Sequence, residues 1–383
     1  MKSNRSLFIL VLCVAVLASL TVFAGQSRND VVRVREMPEY IAAHSYIFVF
    51  DDQAVTEKLP VAERARALSH EYGGQLRHAY SYALKGFSAM MTAEAAQSLF
   101  ENHPEIKYYE ANGVVWAVGK PPWAGGGGGD TGGQVTPWGV TRVGGGVSGN
   151  FCKAWIIDTG VDLDNPDLNV DTADSIAFAR SKNGADDDNG HGTHVAGTIA
   201  AIDNNIDVVG VAPGATVVPV KVLDRRGSGA WDDVLAGIDY VAHHAASCDV
   251  ANMSLGGGYS QALNDAVITA SHACTFVIAA GNDGIDAANA SPASANGGNI
   301  LTISAIDQND NLASWSNYGV PPVDFAEPGV NILSLKVGGG TTTMSGTSMA
   351  TPHAAGLVLL GNIRTDGSTN PDPKGDVHPI GVH

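Results

Sequence analysis

The chain has 383 residues, 44% of them apolar and only 16% charged, and its 22 Lys and Arg against 39 Asp and Glu give a net charge of −17. Such a composition supports a sizeable core and excludes a disordered or coiled-coil chain. The acidic balance excludes nucleic acid as a ligand, because phosphate contacts need cationic surface.

The length predicts two domains, or three. Residues 1–130 hold 12 basic and 13 acidic side chains, whereas 131–383 hold 10 and 26, with Glu327 the only Glu among the latter. Asp favours turns and helix caps where Glu favours helix interiors, so the architecture changes near residue 130.

The first 24 residues read as a targeting segment. Lys2 and Arg5 precede an apolar stretch over 7–23, and Val22-Phe23-Ala24 has the small-x-small pattern of a signal-peptidase site. The rival reading is an uncleaved anchor, at the lower limit of length for crossing a bilayer. Export with cleavage is expected, leaving a secreted, extracellular chain with no membrane contact. Cys13 leaves with the signal; Cys152, Cys248 and Cys274 stay, enough for one disulfide and one thiol.

Residues 44–118 read as an α+β unit. Strands are expected over 45–50, 75–83, 86–92 and 106–115, with helices over 61–70 and 93–102. That β-α-β-β-α-β order is the ferredoxin-like arrangement. Residues 119–136, with five successive Gly at 125–129, read as a flexible linker.

From Thr136 short apolar runs at 154–157, 217–222, 250–253, 276–280 and 300–304 alternate with helical segments at 195–202, 232–246 and 261–272. The alternation predicts an α/β fold, a parallel sheet with helices on both faces. Ligands of such sheets bind at the carboxyl ends of the strands.

The residues at those ends carry chemistry. Asp158 follows 154–157 and could orient an imidazole, although a lone Asp there reads more simply as a turn residue. His191, within Asn189-Gly190-His191-Gly192-Thr193-His194, opens a helix of small residues and reads equally as a base or as structural. His191 and His194 are not a zinc pair, since the Glu that pattern requires is replaced by Gly192. Pro352 belongs in a helix's first turn, which starts that helix near Ser348 and puts its hydroxyl at the positive end of the dipole. The G-x-S-x-G elbow is absent. Asn282, after 276–280, offers an amide donor at the same edge, or is a plain turn residue.

The order Asp158, His191, Ser348 is that of the subtilisin triad. With "IIDTGVD", "NGHGTHVAGT", "SLGGG", "AAGN", "SPAS", "SNYG" and "SGTSMATPHAAG", the chain resembles the subtilases from about Pro137 to Gly361, closest to the proteinase K-like branch. The resemblance implies a seven-stranded, mostly parallel sheet in a peptidase domain over 137–383. Before it come a signal peptide (1–24), an inhibitory propeptide (25–118) and a linker cut on activation (119–136).

The same resemblance implies site roles. Ser348 would be the nucleophile, His191 the acid/base, Asp158 its orienting carboxylate, and Asn282 with the Ser348 N–H the oxyanion donors. Gly227, Ser228 and Gly229, with Ser254, Leu255 and Gly256, would bind substrate as an added strand. Ala279, Ala280 and Gly281 would line an open pocket for a large apolar residue before the scissile bond. Trp231 would lid a more distant subsite, its other reading being an ordinary core or surface Trp.

No cofactor is implied for catalysis. Structural calcium is expected at Asp324 with carbonyls of Gly298 and Ile300, and a Cys152–Cys248 disulfide is implied. Asp186-Asp187-Asp188 reads as a calcium loop or a solvated turn. The polar tail after Gly361 leaves the sheet less covered than in relatives.

The function expected is a secreted, monomeric, self-processing endopeptidase with broad specificity, acting on proteins and peptides and inhibited by its own propeptide. Cleavage is expected between Trp116 and Thr136, with the mature chain starting shortly before Pro137. The alternatives are an inactive relative that binds without cutting, and a structural surface protein, for which the 46 Gly would need repeats that are absent.

Overall fold

The computed structural model describes residues 38–51, 60–119, 133–361 and 363–383. The expected signal segment and most of the expected linker lie outside these residues.

The first unit begins with α1 (Pro38–His44) and β1 (Ser45–Phe50). It continues through α2 (Val61–Glu71), β2 (Gln75–Tyr80), β3 (Gly86–Met90), α3 (Ala93–Asn102) and β4 (Ile106–Ala111). Its antiparallel sheet runs β2-β3-β1-β4. Because side chains alternate along a strand, β1 has two buried faces. Phe48 and Phe50 meet Phe87, Leu68 and Leu99 inside the unit. Ile47 and Val49 belong to the same cluster as Val234, Leu235, Leu263 and Val267 of the second unit.

The strand expected over 106–115 is two strands. After β4, Asn112 and Gly113 turn the chain out of this sheet, and β5 (Val114–Ala117) pairs only with the second unit. The Asn112 side-chain oxygen accepts from Gly113 N at 2.9 Å and from Asp232 N at 3.3 Å, pinning the break.

The second unit starts with α4 (Trp138–Arg142) and β6 (Ala154–Asp158), followed by short β7 (Asn169–Val170) and β8 (Ile176–Ala177). Then come α5 (His191–Ala200), β9 (Thr216–Lys221), β10 (Ser228–Ala230) and α6 (Trp231–His244). Next are β11 (Val250–Met253), β12 (Leu255–Gly258), α7 (Gln261–Ala270), β13 (Thr275–Ala279) and β14 (Ala290–Ser291). The chain ends with β15 (Ile300–Ile306), β16 (Val323–Pro328), β17 (Ile332–Leu335), β18 (Thr341–Met344), α8 (Thr347–Leu360), β19 (Arg364–Ser368) and β20 (Pro379–Val382).

The central sheet runs β19-β20-β16-β15-β13-β11-β6-β9-β7, with β8 also on β9, and every pair is parallel except β19–β20. It therefore has ten strands where seven were expected. The extra three are β8, two residues long, and the two strands of the tail, polar Arg364–Ser368 and the four-residue Pro379–Val382. All three are too short or too polar to carry a strand signature. The tail covers the sheet edge after all, with Ile380 and His378 fully buried.

Both faces of the sheet are packed, as continuous apolar strands require. Trp155 and Ile157 of β6 face α6 and α7. Ala154 and Ile156 face Val195 and Ile199 of α5 and Ala350 and Ala354 of α8. Strand β6 lies between β9 and β11, where the strand order reverses, so its carboxyl end opens onto the crevice in which such sheets bind ligands.

Candidate active site

Asp158 closes β6 at that point and is fully buried. His191 opens α5, and its Nδ1 lies 2.8 Å and 3.0 Å from the two Asp158 oxygens. Nδ1–H therefore donates to the carboxylate, leaving Nε2 as the basic nitrogen. Burial works to lower the His191 pKa, but the Asp158 charge and hydrogen bond, with Asp187 behind them, override it, and the net shift is upward.

Close approach of α5 to the β6 loop depends on Gly192. A Cβ there would sit 2.0 Å from the Gly160 carbonyl oxygen. His194 turns away to donate to Ile332 O at 3.0 Å, and burial lowers its pKa to about 3. It is not a ligand paired with His191.

Asp187 was not recognised in the sequence as part of this site. Its Oδ1 accepts from Thr159 Oγ1, Asn189 N and Gly190 N at 2.9–3.0 Å, and its Oδ2 from Thr193 N and Oγ1 at 3.0 and 2.6 Å. One buried carboxylate thus joins the residue after Asp158 to those flanking His191. Asp188 pairs with the fully buried Lys221 at 2.8 Å. Within the acidic triplet Asp187 is a buried hydrogen-bonded brace, whereas Asp188 is exposed and Asp186 half-buried.

Ser348 lies in the first turn of α8. Pro352 sits in the second turn rather than the first. The carbonyl its missing N–H leaves free is that of Ser348, and the Ser254 hydroxyl donates to it at 2.9 Å. The Ser348 hydroxyl in turn donates to Ser254 O at 2.8 Å, while His191 Nε2 has no hydrogen-bond partner among the described residues.

Asn282 Nδ2 donates to Val118 O at 2.5 Å, and Ser348 N to the same oxygen at 3.4 Å. The amide is oriented from behind, because Asn282 Oδ1 accepts from Thr347 N and Oγ1, both at 2.9 Å. Thr347 Oγ1 also accepts from Gly281 N at 3.1 Å, tying both loops together. On the other side of the Val118 carbonyl, the Cβ position of Gly119 is 3.1 Å from His191 Nε2. The peptide bond between Val118 and Gly119 lies across the site.

The segments expected to bind substrate are paired with a strand of the chain itself. Strand β5 runs antiparallel between β10 and β12, with Trp116 opposite both Ser228 and Gly256, and Ala117 opposite Leu255. Ala117 N donates to Gly227 O at 2.9 Å and Val118 N to Ser254 O at 3.3 Å. Ala279 and Ala280 are fully buried, and Gly281 has φ +108°, where a Cβ would meet the Asn317 amide at 2.2 Å. Trp231 packs against the Gly113 backbone at the far end of the strand.

Cys152 and Cys248 form a disulfide between the segments entering β6 and β11, with Cα atoms 5.8 Å apart. Cys274 is a buried thiol whose pKa burial pushes up to about 12. Asp324 is half-buried beside the start of β15, one oxygen accepting from Thr302 N at 2.8 Å. Burial raises its pKa, and among the described residues no cation pairs with it. A hard cation suits such a carboxylate. Ile300 opens β15 two residues before Thr302, and Gly298 precedes the strand.

A parallel sheet carrying Asp, His and Ser with an amide donor at one crevice defines a serine hydrolase of the Asp-His-Ser order. The family model described as "Subtilase family" matches residues 154–367, and the chain belongs to the subtilase family of serine peptidases. It is 41% identical over 245 residues to a thermostable alkaline protease of Halalkalibacterium halodurans, a match spanning 62% of this chain and 65% of that one. It is 33% identical over 353 residues to proteinase R of Parengyodontium album, spanning 87% and 83%. The crystal structure of a cold-adapted subtilisin-like serine proteinase superposes with a TM-score of 0.54 at 36% identity, covering 63% of this chain and 96% of the other.

Proposed function

We propose that the chain is a secreted endopeptidase made as a precursor that cuts its own Val118–Gly119 bond, after which residues 25–118 stay in the groove as an inhibitor. The observation that carries this reading is the Val118 carbonyl oxygen, shared by Asn282 Nδ2 and Ser348 N. A carbonyl held by both donors is the ground state of a bond about to gain negative charge on that oxygen.

In the proposed cycle the Ser348 hydroxyl turns from Ser254 O to His191, gives its proton to Nε2 and attacks the Val118 carbonyl carbon. The oxyanion is held by Asn282 and Ser348 N. His191 then protonates the Gly119 nitrogen, the C–N bond breaks, and an acyl-enzyme at Val118 remains. Water, deprotonated by His191, hydrolyses it. Asp158 keeps the tautomer and stabilises the imidazolium throughout. Foreign substrates follow the same path, held mainly by backbone pairing and so with broad preference. Val118 as occupant is consistent with an apolar bias at the first position.

The proposed first cut is well upstream of Pro137, so a mature chain starting near Pro137 would need a second trimming within 119–136. We further propose a monomer, and structural calcium held through Asp324. The test of self-cleavage is intact mass after expression in a protease-deficient host. Wild type is expected as two products divided after Val118, and Ser348→Ala as one uncut chain. A Ser348→Ala chain divided at the same bond would assign the cut to another protease and overturn the proposal.

A further inference from the structure

Pairing of the bound strand does not stop where β5 ends. Counting back from Val118 as the first residue before the scissile bond, Val115 is the fourth, Val114 the fifth and Gly113 the sixth. Trp231 N donates to Gly113 O at 3.0 Å, so the added strand is hydrogen-bonded through its sixth residue. Side chains alternate along it. Trp116 points outward and is 51% exposed, Val115 is fully buried, and Gly113, two residues from Val115, shares the inward face.

On that face there is no room at Gly113. A Cβ added there would lie 2.3 Å from Trp231 Cε2, 2.4 Å from Cζ2 and 2.6 Å from Cδ2, three atoms of one rigid ring. Nor does the backbone ask for glycine here, since Gly113 is not among the residues with positive φ. The demand comes from the indole alone. Trp231 is the first residue of α6, fixed by its helix and packed against the large cluster that includes Val115 and Leu235.

We propose that Trp231 is a specificity-determining residue that makes glycine the preferred residue at the sixth position before the scissile bond. The chain's own cleavage segment, Gly-Val-Val-Trp-Ala-Val, satisfies that preference. This rests on the peptidase reading and on Val118–Gly119 as the bond presented. A larger residue must displace the ring or give up the terminal backbone bond, and overpacking of that kind weakens binding about tenfold or more.

Two measurements decide it. The first is kcat/KM of the mature enzyme on peptides that differ only at the sixth position, Gly, Ala or Leu followed by Val-Val-Trp-Ala-Val and a fluorogenic amide. Gly is expected to exceed Ala by about tenfold, mostly in KM, and Trp231→Ala to level the three. Equal values in wild type, or a preference that persists in Trp231→Ala, would overturn the inference. The second needs no catalysis. In the full-length Ser348→Ala chain, Gly113→Ala should lower the melting temperature, and the loss should vanish when Trp231→Ala is added. A loss of equal size in both backgrounds overturns the contact. Failure of the peptidase reading has a different signature, no amide release from any peptide while the melting cycle still reports the Gly113–Trp231 contact.

Discussion

In the proposed mechanism the Asn282 amide has its direction fixed before any charge develops. Thr347 holds Oδ1 with two donors, which turns Nδ2 to the Val118 oxygen. Asn282→Leu is expected to lower kcat by about 10²–10³ with little change in KM. Thr347→Val, which removes one orienting bond, should lower it about tenfold in the same sense. Unchanged kcat in Asn282→Leu would show that the oxygen is stabilised elsewhere. His191 gives a pH signature at the same scale. The cycle needs it neutral, and its pKa in the covered site is raised, so the acid limb of kcat should lie above the ordinary 6.5. Asp158→Asn should move that limb down while lowering kcat by about 10⁴. A limb that does not move would detach it from this pair. Asp158, His191 and Ser348 were legible in sequence as candidates because each sits in a short local motif. Asp187 was not, because an acidic triplet beside Asn and Gly has the composition of a solvated turn. Its role exists only once Thr159 and Thr193 are folded onto it.

Elements buried on both sides were legible for a related reason. A strand such as Val250–Met253 has apolar residues on both faces, and nothing but a parallel sheet under helices buries them all. The strand expected over 106–115 ran through a local turn signal, Asn112-Gly113, that separates two strand-like runs. The contact that holds the break, Asp232 N to the Asn112 side chain, comes from far away in sequence. The tail failed because its strands are stabilised by docking, as in the buried His378 bonded to Ser304 at 2.7 Å, not by their own pattern. The pairing of β15 with β16 also sets the proposed calcium site. Asp324 stands next to Thr302 with burial opposing its charge and no cationic partner among the described residues. A bound cation would remove that penalty and stabilise the native state by mass action. Chelation should therefore lower the melting temperature of the wild type by several degrees and leave Asp324→Ala nearly insensitive. Equal sensitivity of the two proteins would put the ion elsewhere.

At the scale of the molecule, the charge asymmetry between the units becomes an interface. Asp232 and Asp233 at the start of α6 receive Arg77 of the first unit at 2.5 and 2.7 Å, and His78 lies 2.8 Å from Asp233. Asp239 on the same helix accepts the backbone N–H groups of Ser81, Tyr82 and Ala83. Glu110 accepts from the Ser260 hydroxyl and Gln261 N at the start of α7, where the dipole also favours a carboxylate. These contacts are not equivalent. Asp232 is fully buried, so truncating Arg77 strands its charge, a loss of about 2–5 kcal/mol. The Glu39–Arg226 pair is 52% and 39% exposed, and pairs of that kind contribute at most about 1 kcal/mol. For the first unit as the proposed inhibitor, Arg77→Ala should therefore raise the inhibition constant about 30-fold or more and shorten the lag before activity appears. Glu39→Ala should change it by no more than about fivefold, with an effect that fades in high salt. The cleavage site is untouched in either variant, so the first cut should still fall after Val118. Similar inhibition constants for the two variants would mean that the groove strand alone holds the inhibitor, and that the acidic face of α6 serves only to fold the precursor.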